Sequence, residues 1–305
     1  MAFAFHANTL AFGGQRSEHG LRRLLPSQAS VTLPPEGGFG ESAIENYSED
    51  GVSIYRAESR VYGSSYRNRL FKTYANVSVY GLDIAGMVQA DVLSASITSI
   101  NERVNDCTSE SKISFDANII GLVIAGEPYN VEIDTTPFSK HGTFGEFTSA
   151  FARMSEYEVR RTADAYNWPY EECVTEPLAG PKRFHVPERC KNGLRATIVR
   201  NITPAVTGGK LCPPRQGFSI EVAGLGVLHL GEVQLTTGRR SINLLRVDLG
   251  QSLGGVMRID EAVVEENAPR PMALALASAP EGDTPASGGY TVAHATGNGT
   301  DFGPP

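Results

Sequence analysis

One apolar pattern occurs three times in this chain, and it leaves few folds open. Around Gly81 the residues run Val77-Ser-Val79-Tyr80-Gly81-Leu82-Asp-Ile84, and around Gly121 Ala117-Asn-Ile119-Ile120-Gly121-Leu122-Val-Ile124. Around Gly224 they run Ile220-Glu-Val222-Ala223-Gly224-Leu225-Gly-Val227. Apolar residues sit four and two before each glycine, then one and three after it. Alternation on both sides is the period of a half-buried strand. The phase slips by one residue at the glycine, so the buried face must swap there unless the strand bulges or bends. Glycine is the residue at which such a distortion costs least. The pattern thus predicts three related, glycine-kinked strands. The segment Ile242-Asn-Leu244-Leu245-Arg-Val247-Asp-Leu249 shows the same slip without a glycine.

These segments predict a mainly β protein, an antiparallel two-sheet β-sandwich of jelly-roll-like type with one inserted amphipathic helix and extended terminal arms. Residues 1–50 are expected to be an irregular N-terminal arm, with Pro26, Pro34, Pro35 and the cluster Gly37-Gly38-Phe39-Gly40. Phe3, Phe5, Leu10 and Phe12 are too sparse for a core of their own, so the arm must lie on its own domain or on a neighbouring subunit. The sandwich spans 51–268, and the alternation from Val52 to Tyr66 marks its first strand. A polar loop from Asn101 to Lys112 interrupts the later strands, and Leu194–Val199 reads as another strand. Phe144, Phe147, Phe151 and Met154 fall at helical spacing, which places a helix over about 144–166. Thr143 and Glu146 form a capping box at its start, and Arg160 and Arg161 complement the dipole at its end. Residues 169–217 are a Pro- and Cys-rich connection. After Pro269 the composition shifts to Pro, Gly, Ala, Ser and Thr, and a tail of that kind over 269–305 cannot fold alone.

A formal net charge of -7 gives no electrostatic footprint for a polyanion, so nucleic acid is not an expected partner. No run approaches 18 apolar residues, so no membrane-spanning helix is expected. The start, Met1-Ala-Phe-Ala-Phe-His6, has neither the basic region nor the continuous apolar run of a secretory signal. A removed signal, another export route and an internal location all stay open. The four cysteines, Cys107, Cys173, Cys190 and Cys212, lack CxxC spacing, which argues against zinc. They are candidates for disulfides, Cys173–Cys190 with Cys107–Cys212 being one of three connectivities, or for free thiols.

No cofactor or metal is expected. Gly250-Gln-Ser252-Leu-Gly254 matches the G-x-S-x-G nucleophile elbow, yet Val256–Asp260 alternates like a strand and only His294 lies downstream, so a hairpin turn explains it better. Gly208-Gly209-Lys210 ends like a phosphate loop, but Leu211 comes after the lysine. His6, His19, His141, His185, His229 and His294 show no metal-binding spacing, and His229 reads as an outward strand residue. Asp83, Asp91, Asp116 and Asp134 are calcium candidates only if the fold gathers them. Asn46, Asn76, Asn201 and Asn298 begin glycosylation sequons. Tyr62, Tyr66, Tyr166 and Trp168 could stack on sugar rings if they are exposed.

The order of Val31-Thr-Leu-Pro34-Pro-Glu-Gly37-Gly38, the GLDIAG and GLVIAG strands, Gly231-Glu-Val-Gln-Leu-Thr, Ile242–Leu249 and Gly254-Gly-Val-Met-Arg-Ile259 resembles the choice-of-anchor P proteins. These are bacterial surface proteins with a β-rich body. The resemblance covers roughly residues 30–265 and implies an exported, non-enzymatic protein at the cell surface or in the extracellular matrix, with no catalytic residues to carry over. The chain itself shows neither an LPxTG-like nor a transmembrane anchor, and its helix and Pro/Cys connection depart from the pattern. The expected function is structural: a homo-oligomer or filament assembled through the terminal arms. A capsid or tail component, a carbohydrate-binding module and, last, a serine hydrolase through Ser252 are the alternatives.

Overall fold

A computed structural model of the chain describes residues 3–18, 21–104, 107–153, 194–206, 219–236, 239–249 and 255–265. The described residues form two antiparallel sheets packed face to face, a β-sandwich. The strands are β1 (Ala7–Glu18), β2 (Leu21–Thr32), β3 (Gly38–Glu49), β4 (Val52–Tyr66), β5 (Leu70–Ile84), β6 (Val88–Val104), β7 (Cys107–Thr108), β8 (Lys112–Ile120), β9 (Leu122–Ile124) and β10 (Glu127–Ile133). Two helices come next, α1 (Thr136–Lys140) and α2 (Phe144–Arg153), then β11 (Leu194–Thr197), β12 (Val199–Pro204), β13 (Ser219–Val222), β14 (Gly226–Leu235), β15 (Arg239–Leu249) and β16 (Gly255–Glu265). The smaller sheet has the order β11-β14-β15-β16-β1-β2, with β13 beside β14. The larger has β12-β10-β9-β6-β5-β4-β3, with β7 and β8 on β6. We call them the terminal sheet and the meander sheet.

The alternating segments become strands because only a pleat puts every second residue on one face. In β8 the burial alternates without a break from Lys112 to Ile120. One continuous core fills the space between the sheets, with Phe12, Ile54, Val79, Leu93, Leu228 and Ile259 among its residues.

The slip in apolar phase has a single cause, and it is collective. In the meander sheet, Glu45 pairs with Arg56 and Tyr47 with Ile54, which sets Asn46 opposite Tyr55. The neighbouring registers likewise set Tyr55 opposite Gly81, Gly81 opposite Asp91, and Asp91 opposite Gly121. All five strands therefore slip in one transverse row. Register is continuous across it, and Ile54, Ala57, Val79, Leu82, Ala90 and Leu93 on either side stay in the core. No extra residue is inserted, so the glycines mark a crease and not a bulge. Alternate strands carry a left-handed residue: Asn46 at φ 54°, Gly81 at 60° and Gly121 at 67°.

The terminal sheet repeats the device. Its registers align Ala29, Ala11, Asp260, Leu244 and Gly231 in a row, again with positive φ on alternate strands: Ala29 at 43°, Asp260 at 61° and Gly231 at 61°. The slip at Leu244 is this second crease. Gly224 belongs to neither. It lies in the hairpin turn between β13 and β14 at φ 81°, so its phase slip reflects a reversal of the chain, and Gly231 is the creased glycine of that region.

The N-terminal fifty residues differ from expectation too: they supply β1, β2 and β3. Despite its sparse apolar residues β1 lies in mid-sheet between β2 and β16, and its partner β16 comes from far along the sequence. Leu194–Val199 is also not one strand. The chain leaves the terminal sheet at β11, turns at the fully buried Ile198, and enters the meander sheet as β12.

Helix α2 starts where expected and is described as far as Arg153; the remainder of 144–166, with Met154, Arg160 and Arg161, lies outside the described residues. The capping box forms: Glu146 N donates to Thr143 Oγ1 at 3.0 Å and Thr143 N to Glu146 Oε2 at 3.2 Å. Glu110 accepts from the neighbouring amide, Gly145 N, through Oε1 at 2.9 Å and Oε2 at 3.2 Å. The buried Arg240 lies over the Phe144 ring at 5.2 Å, and Phe144 and Phe147 are buried, so the helix start is seated on the sandwich.

Candidate functional site: the open margin of the sandwich

The two sides of the sandwich are finished differently. On one side the β11–β12 crossover ties the sheets together: Ile198 N donates to Gly231 O at 2.9 Å, and Asp134 N to Ile198 O at 2.8 Å. On the other side β2 ends the terminal sheet and β3 ends the meander sheet, and the two run beside each other without pairing. Among the described residues no strand pairs with the outer edge of either. An unpaired row of N–H and C=O groups is a template for another strand.

The residues of this margin come mainly from Arg23 to Tyr66. Arg23 reaches from β2 to Glu49 and to Asp50, both at 3.2 Å, and pins the two edges at one end. At the other end the chain turns through Leu33–Gly37, where Phe5 N donates to Pro35 O at 2.7 Å. Along β3 the inward positions Ile44 and Tyr47 are only partly buried against the core. Burial and the nearby Glu49 carboxylate push the Tyr47 hydroxyl up to about 12, so it stays protonated and serves as a donor to Glu49. The outward positions Glu41 and Glu45 face Arg60 and Arg56 of β4 at 3.9 and 3.8 Å. Phe39, Tyr62 and Tyr74 stand in one row across β3, β4 and β5, with Phe39 59% and Tyr62 40% exposed. Tyr55 and Tyr66 are exposed beyond it.

The assembly residues expected at the N-terminus lie inside this chain's own body. Phe5, Leu10 and Phe12 are buried, and Phe3 stacks on Phe71 with centroids 4.0 Å apart. Phe5 fits against Gly63 and Gly37, where an added Cβ would come within 2.9 and 2.8 Å of its ring. These aromatics seal one end of the sandwich. Cys173, Cys190, Cys212, Ser252, Tyr166, Trp168, His19, His185, His294 and Asn298 lie outside the described residues, as does the Cys107 side chain.

The acidic residues Asp83, Asp91, Asp116 and Asp134 are not gathered, and among the described residues no cluster of three or more His, Cys, Asp or Glu could hold a metal. Asp83 closes a turn by accepting from Gly86 N at 2.7 Å. His229 is an outward strand residue whose Nε2 lies 2.9 Å from Asp248 Oδ2. Burial alone would raise the Asp248 carboxyl; bonds with His229 and Arg246 override it and hold it at about 2. Arg246 also holds Glu232 bidentately, at 2.6 and 2.9 Å, which is a rigid cross-strand tie on the outer face of the terminal sheet.

Sequence reasoning missed Asp260, among the described residues the one fully buried carboxylate with neither oxygen in a hydrogen bond. Burial pushes its pKa well above the usual 3.8; the Ala95 backbone in the facing sheet opposes this without meeting hydrogen-bond geometry. The sequence signal was an aspartate inside the apolar run Met257-Arg-Ile259-Asp260-Glu-Ala262-Val-Val264.

Among the described residues the fold is a two-sheet sandwich tied by the β11–β12 crossover on one side and ended by the neighbouring edges of β2 and β3 on the other. Within that class the chain belongs to the family described as Domain of unknown function (DUF8256), whose model matches residues 3–236. The match runs from the start of the described chain through β14, leaving β15 and β16 beyond it. No curated protein and no solved structure matches the chain.

Proposed function

We propose that this chain is a non-enzymatic structural protein of the bacterial surface or extracellular matrix that assembles with copies of itself. The margin of β2 and β3 carries the reading: two neighbouring edge strands of 12 residues each offer backbone groups to which another strand can add. The resemblance to choice-of-anchor P proteins supports the surface location. Assembly through the N-terminal aromatics is not retained, because they seal this chain's own core; the edges take that role. Light scattering on the purified full chain over a range of concentrations is the test. A concentration-dependent rise above the 32.7 kDa of one chain is expected, and a single-chain mass throughout would overturn the proposal.

A second reading draws on the exposed Phe39–Tyr62–Tyr74 row beside the polar row Glu41–Arg60–Asn76. An aromatic platform flanked by donors and acceptors suits a neutral sugar chain. A glycan array on which Tyr62→Ala removes every signal supports it, and an array without signals ends it.

A further inference from the structure

Among the described residues β3 pairs with β4 alone, and its inward positions between Gly40 and Ile44 lie on the same core face as Val61, Ser59 and Ala57 of β4. The occupant of its free side must therefore be an extended segment with bulky apolar residues at every second position. The residues between them must be small, to clear the Glu41–Arg60 and Glu45–Arg56 pairs on the other face. The sequence holds such a segment beyond the last described strand. Forty residues, 266–305, come after Glu265, and among them Met272-Ala-Leu274-Ala-Leu276-Ala alternates large apolar with alanine. It carries no charge, and Pro271 and Pro280 bracket its neighbourhood.

We infer that residues 272–277 of a second copy of this chain add to the free edge of β3, antiparallel, with Met272 opposite Ile44, Leu274 opposite Ser42 and Leu276 opposite Gly40. The inference rests on the self-assembly proposed above and names its contact. Six residues fit the stretch Phe39–Ile44, which ends short of the crease at Asn46, where a straight strand loses register. The donor is a second copy because of where the described part of β16 ends. Val264 pairs with Ala7, whose carbonyl accepts from Leu33 N at 2.9 Å, so Glu265 lies at the end of the sandwich where β3 begins. Reaching β3 directly from there, a segment of the same chain would run parallel to it. Every pairing among the described residues is antiparallel, and parallel pairing is the weaker kind. A second molecule has no such restriction. Each chain would then offer one donor segment and one acceptor edge, a head-to-tail contact that extends into a filament unless it closes on itself.

The test compares the full-length chain with its full-length variant Leu274→Asp/Leu276→Asp, by light scattering and by binding of a synthetic peptide of residues 269–281. The variant is expected to need roughly a hundredfold more protein to assemble. It should bind the peptide one to one, and the same peptide should shorten assemblies of the unchanged chain. The peptide should lose its grip when Ile44→Lys is added to the edge. If the variant assembles as the unchanged chain does, strand donation is wrong while self-assembly stands. If the unchanged chain is a single molecule and the variant only melts earlier, the segment serves its own chain and the second copy is excluded.

Discussion

The two creases solve one geometrical problem with different residues. In the meander sheet the row Asn46–Tyr55–Gly81–Asp91–Gly121 faces water, with Tyr55 67% exposed. In the terminal sheet the row Ala29–Ala11–Asp260–Leu244–Gly231 is buried throughout. Both place left-handed residues on alternate strands, and both leave register and core face unchanged. The exposed row uses two glycines and an asparagine, the residues that adopt positive φ most readily. The buried row uses one glycine and accepts an alanine and an aspartate, each at a cost of about 1–2 kcal/mol. The transverse row is thus what the fold requires. Residue type is freer where packing from all sides holds the backbone, and tighter where water and neighbouring side chains compete for space.

Four substitutions break or sharpen this comparison. The largest effect is expected from Gly81→Val. A Cβ there would lie 2.9 Å from the Tyr55 Cβ, and φ is 60°; a loss of about 3 kcal/mol or more in urea unfolding should result. A loss below about 1 kcal/mol would mean that the row can shift locally.

Next is Asp260→Asn in the buried row, expected to stabilise the protein at pH 8 by about 1–3 kcal/mol, because a neutral amide replaces an unpartnered carboxylate. Its pH dependence gives a second readout. The folded pKa of Asp260 lies above its unfolded value, so the native state holds the extra proton. Stability from this group is complete below about the ordinary 3.8 and falls as pH rises toward the folded pKa. Urea midpoints at pH 4.5 and pH 8 should diverge in the unchanged chain more than in the asparagine variant; parallel behaviour would place the charge elsewhere. Asp260→Gly should add about 1 kcal/mol to the asparagine gain by removing the Cβ penalty. Asn46→Gly, in the exposed row, should fall within about 0.5 kcal/mol of the unchanged chain. If Asn46→Gly matched the gain at Asp260, burial would not be what separates the rows.

Much of the sandwich was legible in the sequence because strand periodicity is local. Val52–Tyr66 was readable to its ends, and the Thr143–Glu146 cap was visible from spacing alone. The phase slips at Gly81, Gly121 and Leu244 pointed to the right residues. Their alignment in rows did not show, since it depends on registers between strands distant in sequence. Strand β1 resembles part of an arm in sequence because Ala7 and Ala11 make a weak apolar signal, although both are packed in the core between the sheets. The open margin was equally hidden: an edge is defined by the absence of a neighbour, which no stretch of sequence encodes.

The pairing of β1 with β16 carries a further consequence for how the molecule is made. Ala7 meets Val264 in mid-sheet, so β1 waits during synthesis for a strand that lies far later in the chain. During synthesis β1 can hold only the β2 hairpin, while β3 to β6 can already stack as a meander from local contacts. The chain therefore becomes a finished molecule late and slowly, as non-local topology dictates. Until then the nascent protein carries the unpaired edge of β1 in addition to the sheet edges it keeps.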